Sequence, residues 1–170
     1  RIPAPERVAE ARERIKGPPA HKDWVWAKET LLLDALIAKK RDVEVEVQAI
    51  QVGPVVCLSN PAEYFVSYGL QLKKRSGFPM TFPVELANGC VGYVPDEEAF
   101  GPHGGGYETR LTSYSNLEIT AGTQFMNVGL ELAAKMKPAH VWMALWKAMT
   151  SCMTCGWHDW PWKTSAVPAP

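Results

Sequence analysis

The sequence predicts a mixed α/β fold, in which helices pack against a mixed β-sheet. Segments with helical spacing of apolar residues are interspersed with segments in which apolar and polar residues alternate. Helices and strands do not follow a regular strand–helix–strand rhythm, which favours mixed layers. The length of 170 residues, with 46% hydrophobic and 21% charged residues, is typical of an ordinary globular protein.

Two helices are predicted at the start of the chain. Residues 5–16 form the first, because Pro5 suits the first helical position and a Gly-Pro-Pro sequence ends the helix. Residues 24–38 form the second, with Asp23 as its N-cap and basic residues at its end. Apolar side chains cover a wide surface of this second helix, so we expect it to be well buried.

A change to two-residue periodicity then predicts strands. Residues 43–48 alternate between apolar and polar, and residues 55–58 form a second, more buried strand after a Gly-Pro turn. A hairpin is therefore expected. Residues 81–87 predict a further strand, and Tyr93 lies at the end of a short strand-like segment.

Two more helices complete the predicted fold. Asn60-Pro61 opens one that runs to about Arg75, and within it Glu63 would stand at the third helical position and close a capping box with Asn60. The last helix spans about residues 117–137. We expect its buried face to consist of Leu117, Ala121, Phe125, Val128, Leu132 and Met136.

The balance of charges argues against nucleic acid binding, and the hydropathy argues against a transmembrane segment. The 18 basic and 18 acidic residues balance to a formal net charge of zero, so no basic stripe suggests nucleic acid binding. The longest charge-free run, residues 47–62, is broken by polar residues, Gly and Pro, so no transmembrane segment is expected. No N-terminal stretch has the order of a signal peptide, and the sequence does not indicate an oligomeric state.

The composition changes near residue 138. Residues 138–170 contain only three charged side chains but five of the seven tryptophans and three of the six methionines. We therefore divide the chain into residues 1–137 and an atypical Trp-, Met- and Cys-rich tail, residues 138–170. Two interpretations of the tail are disorder and translation out of frame.

Two motifs give only weak chemical signals. The glycine-rich sequence from His103 to Gly106 lacks the Gly-Lys-Ser/Thr ending of a phosphate-binding loop, so a surface loop is the favoured interpretation. Cys152 and Cys155, with His158 close by, provide three candidate metal or redox residues. A closed zinc site needs four ligands, which favours two incidental cysteines.

Three separated motifs carry a more specific signal when taken together. They are Asn60-Pro-Ala-Glu63-Tyr-Phe, Leu86-Ala-Asn-Gly-Cys-Val-Gly-Tyr93-Val-Pro and Gly106-Tyr-Glu-Thr-Arg110. In this order they resemble the C-terminal part of the catalytic domain of the neutral ceramidase family, and most closely its bacterial ceramidase-like branch. The resemblance covers about residues 43–137 and then stops.

The resemblance implies a zinc-dependent amidohydrolase of sphingolipid metabolism that cleaves the amide of ceramide-like, N-acylsphingosine-type lipids. It implies Glu63 and Tyr93 as zinc ligands and Asn88, Gly106 and Tyr107 as substrate or loop residues. The zinc-bound water would attack the polarised amide carbonyl. Family members commonly act outside the cytoplasm, which implies an exported parent protein.

The chain departs from the family pattern in one respect that affects activity. The family's two histidine ligands, and its serine near the scissile amide, belong to motifs that have no match here. The four histidines (His21, His103, His140 and His158) lie outside the matching motifs. We therefore assign no catalytic residue in this chain and expect it to be an inactive fragment of the enzyme domain.

Two alternative functions stay open at this point. One is a small zinc- or redox-binding module that uses Cys152, Cys155 and His158. The other is a non-catalytic interaction domain in which the Trp-rich tail serves as an apolar docking surface.

Overall fold

The computed structural model describes residues 1–19 and 22–138 and has the predicted mixed α/β fold. The elements of the described part are α1 (Pro5–Arg14), α2 (Lys22–Lys39), β1 (Gln48–Val52), β2 (Val55–Ser59), β3 (Glu63–Tyr64), α3 (Val66–Arg75), β4 (Met80–Val84), β5 (Tyr93–Val94) and α4 (Ala121–Ala134). A 3₁₀ turn follows β5. None of the helices in these residues is both long and apolar enough to cross a membrane.

Three strands form the main sheet in the order β1-β2-β4. β1 and β2 form the predicted antiparallel hairpin across the Gly53-Pro54 turn. The predicted first strand, residues 43–48, is wrong except at its last residue. The short turn sets the register, so the five residues of β2 pair with residues 48–52 instead. β4 lies parallel to β2 and takes up the first part of the predicted strand at 81–87.

Helices α3 and α4 pack on one face of this sheet and enclose the core. Val56 and Leu58 of β2 point to that side and are buried. Tyr68 and Leu72 of α3 belong to the same buried cluster. The core therefore lies between one sheet face and two helices.

Helices α1 and α2 pack against each other, but α2 is less buried than predicted. Only Ala27, Thr30 and Leu33 are buried, whereas Leu32 and Leu36 are exposed. The reason is that α1 presents only the small contact surface of Val8 and Ala11. α2 begins at Lys22, so Asp23 lies in its first turn and the predicted N-cap assignment is wrong.

The start of α3 also differs from the prediction. The helix begins at Val66, six residues after Asn60, so Glu63 is not in a capping box. Asn60 instead accepts a hydrogen bond from the Ala62 backbone N–H at 2.9 Å, which forms a local turn. Glu63 and Tyr64 are extended because they pair with β5 in a second, two-stranded parallel sheet. A partner strand distant in sequence thus overrides the local helix signal.

The buried face of α4 is displaced by about one residue from the predicted one. The buried residues are Ala121, Gly122, Met126, Gly129 and Ala133, whereas the predicted Val128 is 42% exposed. Small residues allow α4 to approach α3 closely. A Cβ atom at Gly122 would lie 2.3 Å from Cε2 of Tyr68, and the ring of Tyr68 is itself stacked on Tyr64 at 4.6 Å between centroids.

We predict that Gly122→Ala destabilises the protein by about 1–3 kcal/mol, because the added methyl group overlaps the buried Tyr68 ring. The ring cannot move aside without breaking its stacking on Tyr64. The free energy of unfolding from urea titration, followed by circular dichroism at 222 nm, measures the effect.

Gly129→Ala is the matched control on the same helix. Its new Cβ would lie 3.6 Å from the nearest atom, which is an ordinary van der Waals contact. We expect no loss of stability, or a gain of up to about 1 kcal/mol from higher helix propensity. Equal destabilisation by both substitutions would contradict the close-packing explanation.

Candidate functional site

The parallel pair of strands β3 and β5 places Glu63 directly beside Tyr93. The two residues are Cα partners in the register, and the Glu63 N–H donates to the Gly92 carbonyl at 3.0 Å. Because paired residues of neighbouring strands point to the same side of a sheet, both side chains share one face. The structure therefore brings together the two residues that the ceramidase resemblance implies as zinc ligands.

A contact between a carboxylate and a phenol sets the electrostatics of this pair. The Glu63 carboxylate accepts a hydrogen bond from the Tyr93 hydroxyl and raises the pKa of Tyr93 above its ordinary value. Desolvation raises this pKa further, with smaller contributions from Tyr107 and Glu108. Both side chains are half-buried and reach solvent. The Tyr93 phenol is therefore protonated at neutral pH.

Tyr93 is held in place by a close backbone approach at the preceding residue. Gly92 has φ of +71°, and a Cβ atom there would lie 2.1 Å from the Tyr114 carbonyl oxygen. The Tyr93 N–H donates to Oγ of the buried Ser115 at 2.9 Å. Only glycine fits this position, because it has neither the steric conflict nor the conformational strain of a side chain.

Arg1 anchors residues 109–117, the segment that contacts β5. The Arg1 guanidinium donates to the backbone carbonyls of Thr109, Ser115 and Leu117 at 2.7, 2.9 and 2.8 Å. It also lies over the Phe100 ring, 4.8 Å from its centroid. One cation therefore fixes the course of the chain around Ser115, on which the position of Tyr93 depends.

A row of aromatic rings leads away from Tyr93. Tyr107 packs edge-on against Tyr93 with centroids 5.6 Å apart, and Trp26 of α2 packs against Tyr107 at 6.2 Å. Arg110 lies over the Trp26 ring at 4.1 Å from its centroid. The sequence did not indicate Trp26, because nothing local connects α2 to the third motif. Arg110 was detectable as the last residue of that motif.

The other two predicted substrate or loop residues lie apart from the pair. Asn88 has φ of +58° and donates to the Glu46 carboxylate at 3.2 Å. Gly106 is exposed, and its carbonyl accepts a hydrogen bond from the Thr109 hydroxyl at 3.1 Å. Of the three predicted residues, Tyr107 is the one in contact with Tyr93.

The glycine-rich sequence is a surface loop, as favoured by its sequence. Residues 101–106 are all exposed and contain no helix or strand. Gly104 is needed for packing, because a Cβ atom there would lie 2.2 Å from the Ala99 carbonyl oxygen. His103 is exposed in the same loop.

The three predicted metal or redox residues, Cys152, Cys155 and His158, lie outside the described part of the chain. His21 and His140, which have no predicted metal role, lie outside it as well. Within residues 1–19 and 22–138, no group of three or more His, Cys, Asp and Glu side chains could hold a metal ion. Glu63 and Tyr93 fit two oxygen-donor positions of a zinc site, but zinc usually takes four ligands.

A groove elsewhere in the described residues is not lined by Glu63 or Tyr93. It has a volume of about 940 Å³ and lies between residues 41–47, the chain start and α4. Valines 43, 45 and 47 line one side, and Phe125 and Val128 line the other. The concave surface and the Glu63–Tyr93 pair are therefore separate features of the molecule.

Comparisons of the chain with protein-family models, with characterised proteins and with solved structures find no match. The likeness to neutral ceramidases consequently rests on the three sequence motifs.

We predict that Glu63→Gln lowers the pKa of Tyr93. The carboxylate disfavours the phenolate, so its removal makes deprotonation easier and moves the titration to lower pH. NMR titration of ¹³C-labelled tyrosine rings, with the Tyr93 signal assigned through Tyr93→Phe, measures the change.

Glu131→Gln, which removes an exposed carboxylate on α4, is the control and should leave the Tyr93 titration unaltered. A Tyr93 pKa that Glu63→Gln also leaves unaltered would show that the two side chains are not in contact in solution.

Proposed function

We propose that this chain supplies two oxygen ligands, Glu63 and Tyr93, to the zinc site of a ceramidase-like amidohydrolase. The substrate class is the amide of N-acylsphingosine-type lipids. The observation that supports the proposal is the direct pairing of these two residues in the β3–β5 sheet. They belong to two separate sequence motifs and are nevertheless neighbours in the fold.

The chemistry of the pair also supports a cation site. A carboxylate next to a phenol provides two hard oxygen donors on one face, and both side chains reach solvent. The Glu63 carboxylate raises the pKa of Tyr93, because deprotonation would place a second negative charge beside it. A divalent cation bound between the two groups would reverse this effect and favour the phenolate.

The surrounding residues have distinct roles in this proposal. Zinc, when bound, would lower the pKa of a water ligand and polarise the amide carbonyl. Ser115 and Gly92 hold Tyr93 in position, and the backbone ladder holds Glu63. The row of Tyr107 and Trp26 offers an apolar surface beside the pair for a lipid chain. The two histidine ligands of the family come from motifs outside this match, so we propose that the chain alone is inactive.

We predict weak zinc binding by the whole chain, which Glu63→Gln and Tyr93→Phe each reduce at least about tenfold, because a two-ligand site loses half of its donors. Isothermal titration with zinc chloride, in a Cys152→Ser/Cys155→Ser background that removes thiol ligands, measures the affinity.

Glu131→Gln serves again as the matched carboxylate control and should bind zinc like the parent. Zinc binding that survives Glu63→Gln in the chain with both thiols, but disappears in Cys152→Ser, would instead support the alternative cysteine-based module.

We further predict that the purified chain does not hydrolyse an N-acylsphingosine substrate in the presence of zinc, because the donors among the described residues leave the site incomplete. Product release is measured by mass spectrometry. Hydrolysis that Glu63→Ala abolishes would refute the proposal that the chain is incomplete, while supporting the role of Glu63.

A further inference from the structure

Three arginines line a small pocket between α1 and α2, which we call the arginine pocket. Its volume is about 240 Å³. Arg7 and Arg14 come from α1, and Arg110 is the last residue of the third sequence motif. Arg7 and Arg14 lie about two helical turns apart, so both side chains project from the same side of α1. The pocket thus collects positive charge from two parts of the chain that are distant in sequence.

Small buried side chains form the floor of the arginine pocket. Ala11 of α1 and Ala27 of α2 both line it, and they are 4% and 5% exposed. Because two alanines meet where larger side chains would fill the space, a cavity remains between the helices. Trp26 of α2 lines the same cavity. The arginines therefore surround a concave site, whereas most surface charges lie on convex ground.

The charges around the arginine pocket do not cancel. Arg14 forms an ion pair with Asp23 at 3.1 Å, and Glu10 is the second carboxylate that lines the pocket. Three cations therefore face two anions. Within residues 1–19 and 22–138, no carboxylate lies within ion-pair distance of the guanidinium of Arg7 or Arg110. These two groups are the ones that an anion from outside can engage.

The aromatic row holds Arg110 in an orientation that suits anion binding. The Arg110 guanidinium lies over the ring of Trp26, 4.1 Å from its centroid, and Trp26 packs against Tyr107. A guanidinium that rests on a ring keeps its N–H groups free in its own plane, where they can donate to an oxyanion. The contact also restricts the side chain beforehand, which reduces the entropy that it loses on binding.

We propose that the arginine pocket binds a phosphate monoester through Arg7 and Arg110. At neutral pH this group carries about two negative charges and several strong acceptor oxygens, with which arginines form charge-assisted hydrogen bonds. The double charge also outweighs the repulsion from Glu10 in the same pocket. The chemistry is the same for a soluble ester and for a lipid headgroup. This site is independent of the zinc proposal, since neither of the two proposed zinc ligands lines the pocket.

Titration of the whole chain with methyl phosphate tests the proposal. The indole N–H signal of Trp26, assigned through Trp26→Phe in ¹H–¹⁵N NMR spectra, reports on binding because the ring contacts Arg110. We expect a saturable shift at constant ionic strength. Arg7→Gln and Arg110→Gln should each weaken binding at least about fivefold, since each removes charge-assisted hydrogen bonds. Dimethyl phosphate, a diester with a single charge, should also bind at least about fivefold more weakly.

Arg12→Gln is the matched control on the same helix. Arg12 pairs with Asp34 at 3.6 Å and does not line the pocket, so this variant should bind methyl phosphate like the parent chain. An equal loss of affinity in Arg12→Gln would reveal only a general attraction to positive charge and would overturn the proposal. The absence of a saturable shift, or affinity that both Arg7→Gln and Arg110→Gln leave unaltered, would overturn it as well.

Lipid vesicles distinguish the two sources of the phosphate group. The whole chain is sedimented with phosphatidylcholine vesicles that contain or lack phosphatidic acid, whose headgroup is a phosphate monoester. Sedimentation that requires phosphatidic acid and is lost in Arg7→Gln would identify a lipid headgroup as the ligand. Binding of methyl phosphate without sedimentation would identify a soluble phosphate ester.

Discussion

Backbone hydrogen bonds on both sides of residues 60–65 join the main sheet to the β3–β5 pair. On one side, the Asn60 N–H donates to the Val84 carbonyl and the Ala87 N–H donates to the Asn60 carbonyl, both at 3.0 Å. On the other side, the Val91 N–H donates to the Pro61 carbonyl at 2.9 Å. Ala62, in the centre, is fully buried. Since a buried backbone must satisfy its polar groups, this segment can adopt only the extended form that serves both neighbours.

The sequence predicted those elements whose determinants are local. The Gly53-Pro54 turn identified the hairpin, and the expected end of α3 at about Arg75 agrees with the structure. It failed where a distant partner decides the structure. Asn60 has the pattern of a helix cap, but β5, which follows about thirty residues later, draws Glu63 into a strand. The buried face of α4 was misplaced because hydrophobic periodicity ranks large side chains above the glycines that allow close helix contact.

The candidate site was predictable where a sequence motif marks its residues, and not where helix packing brings a residue to it. Glu63, Tyr93 and Tyr107 stand in motifs whose order indicated a common site, and the structure places them side by side. Trp26 could not be found from the sequence, because its place beside Tyr107 depends on how α2 packs. Asn88 matched a motif but turns towards Glu46, because its left-handed backbone directs the side chain away.

The pairing of β3 with β5 also has a consequence for the order of folding. The two strands are parallel, so the chain between them, which includes α3 and β4, must form a complete crossover before Glu63 and Tyr93 can meet. Closing such a loop lowers the conformational entropy of the chain, and only contacts formed afterwards offset this free-energy cost. The β1–β2 hairpin needs just a two-residue turn. We therefore expect the hairpin to form early and the Glu63–Tyr93 pair to be among the last contacts made. The hairpin would thus form before both parallel pairs, β2–β4 and β3–β5.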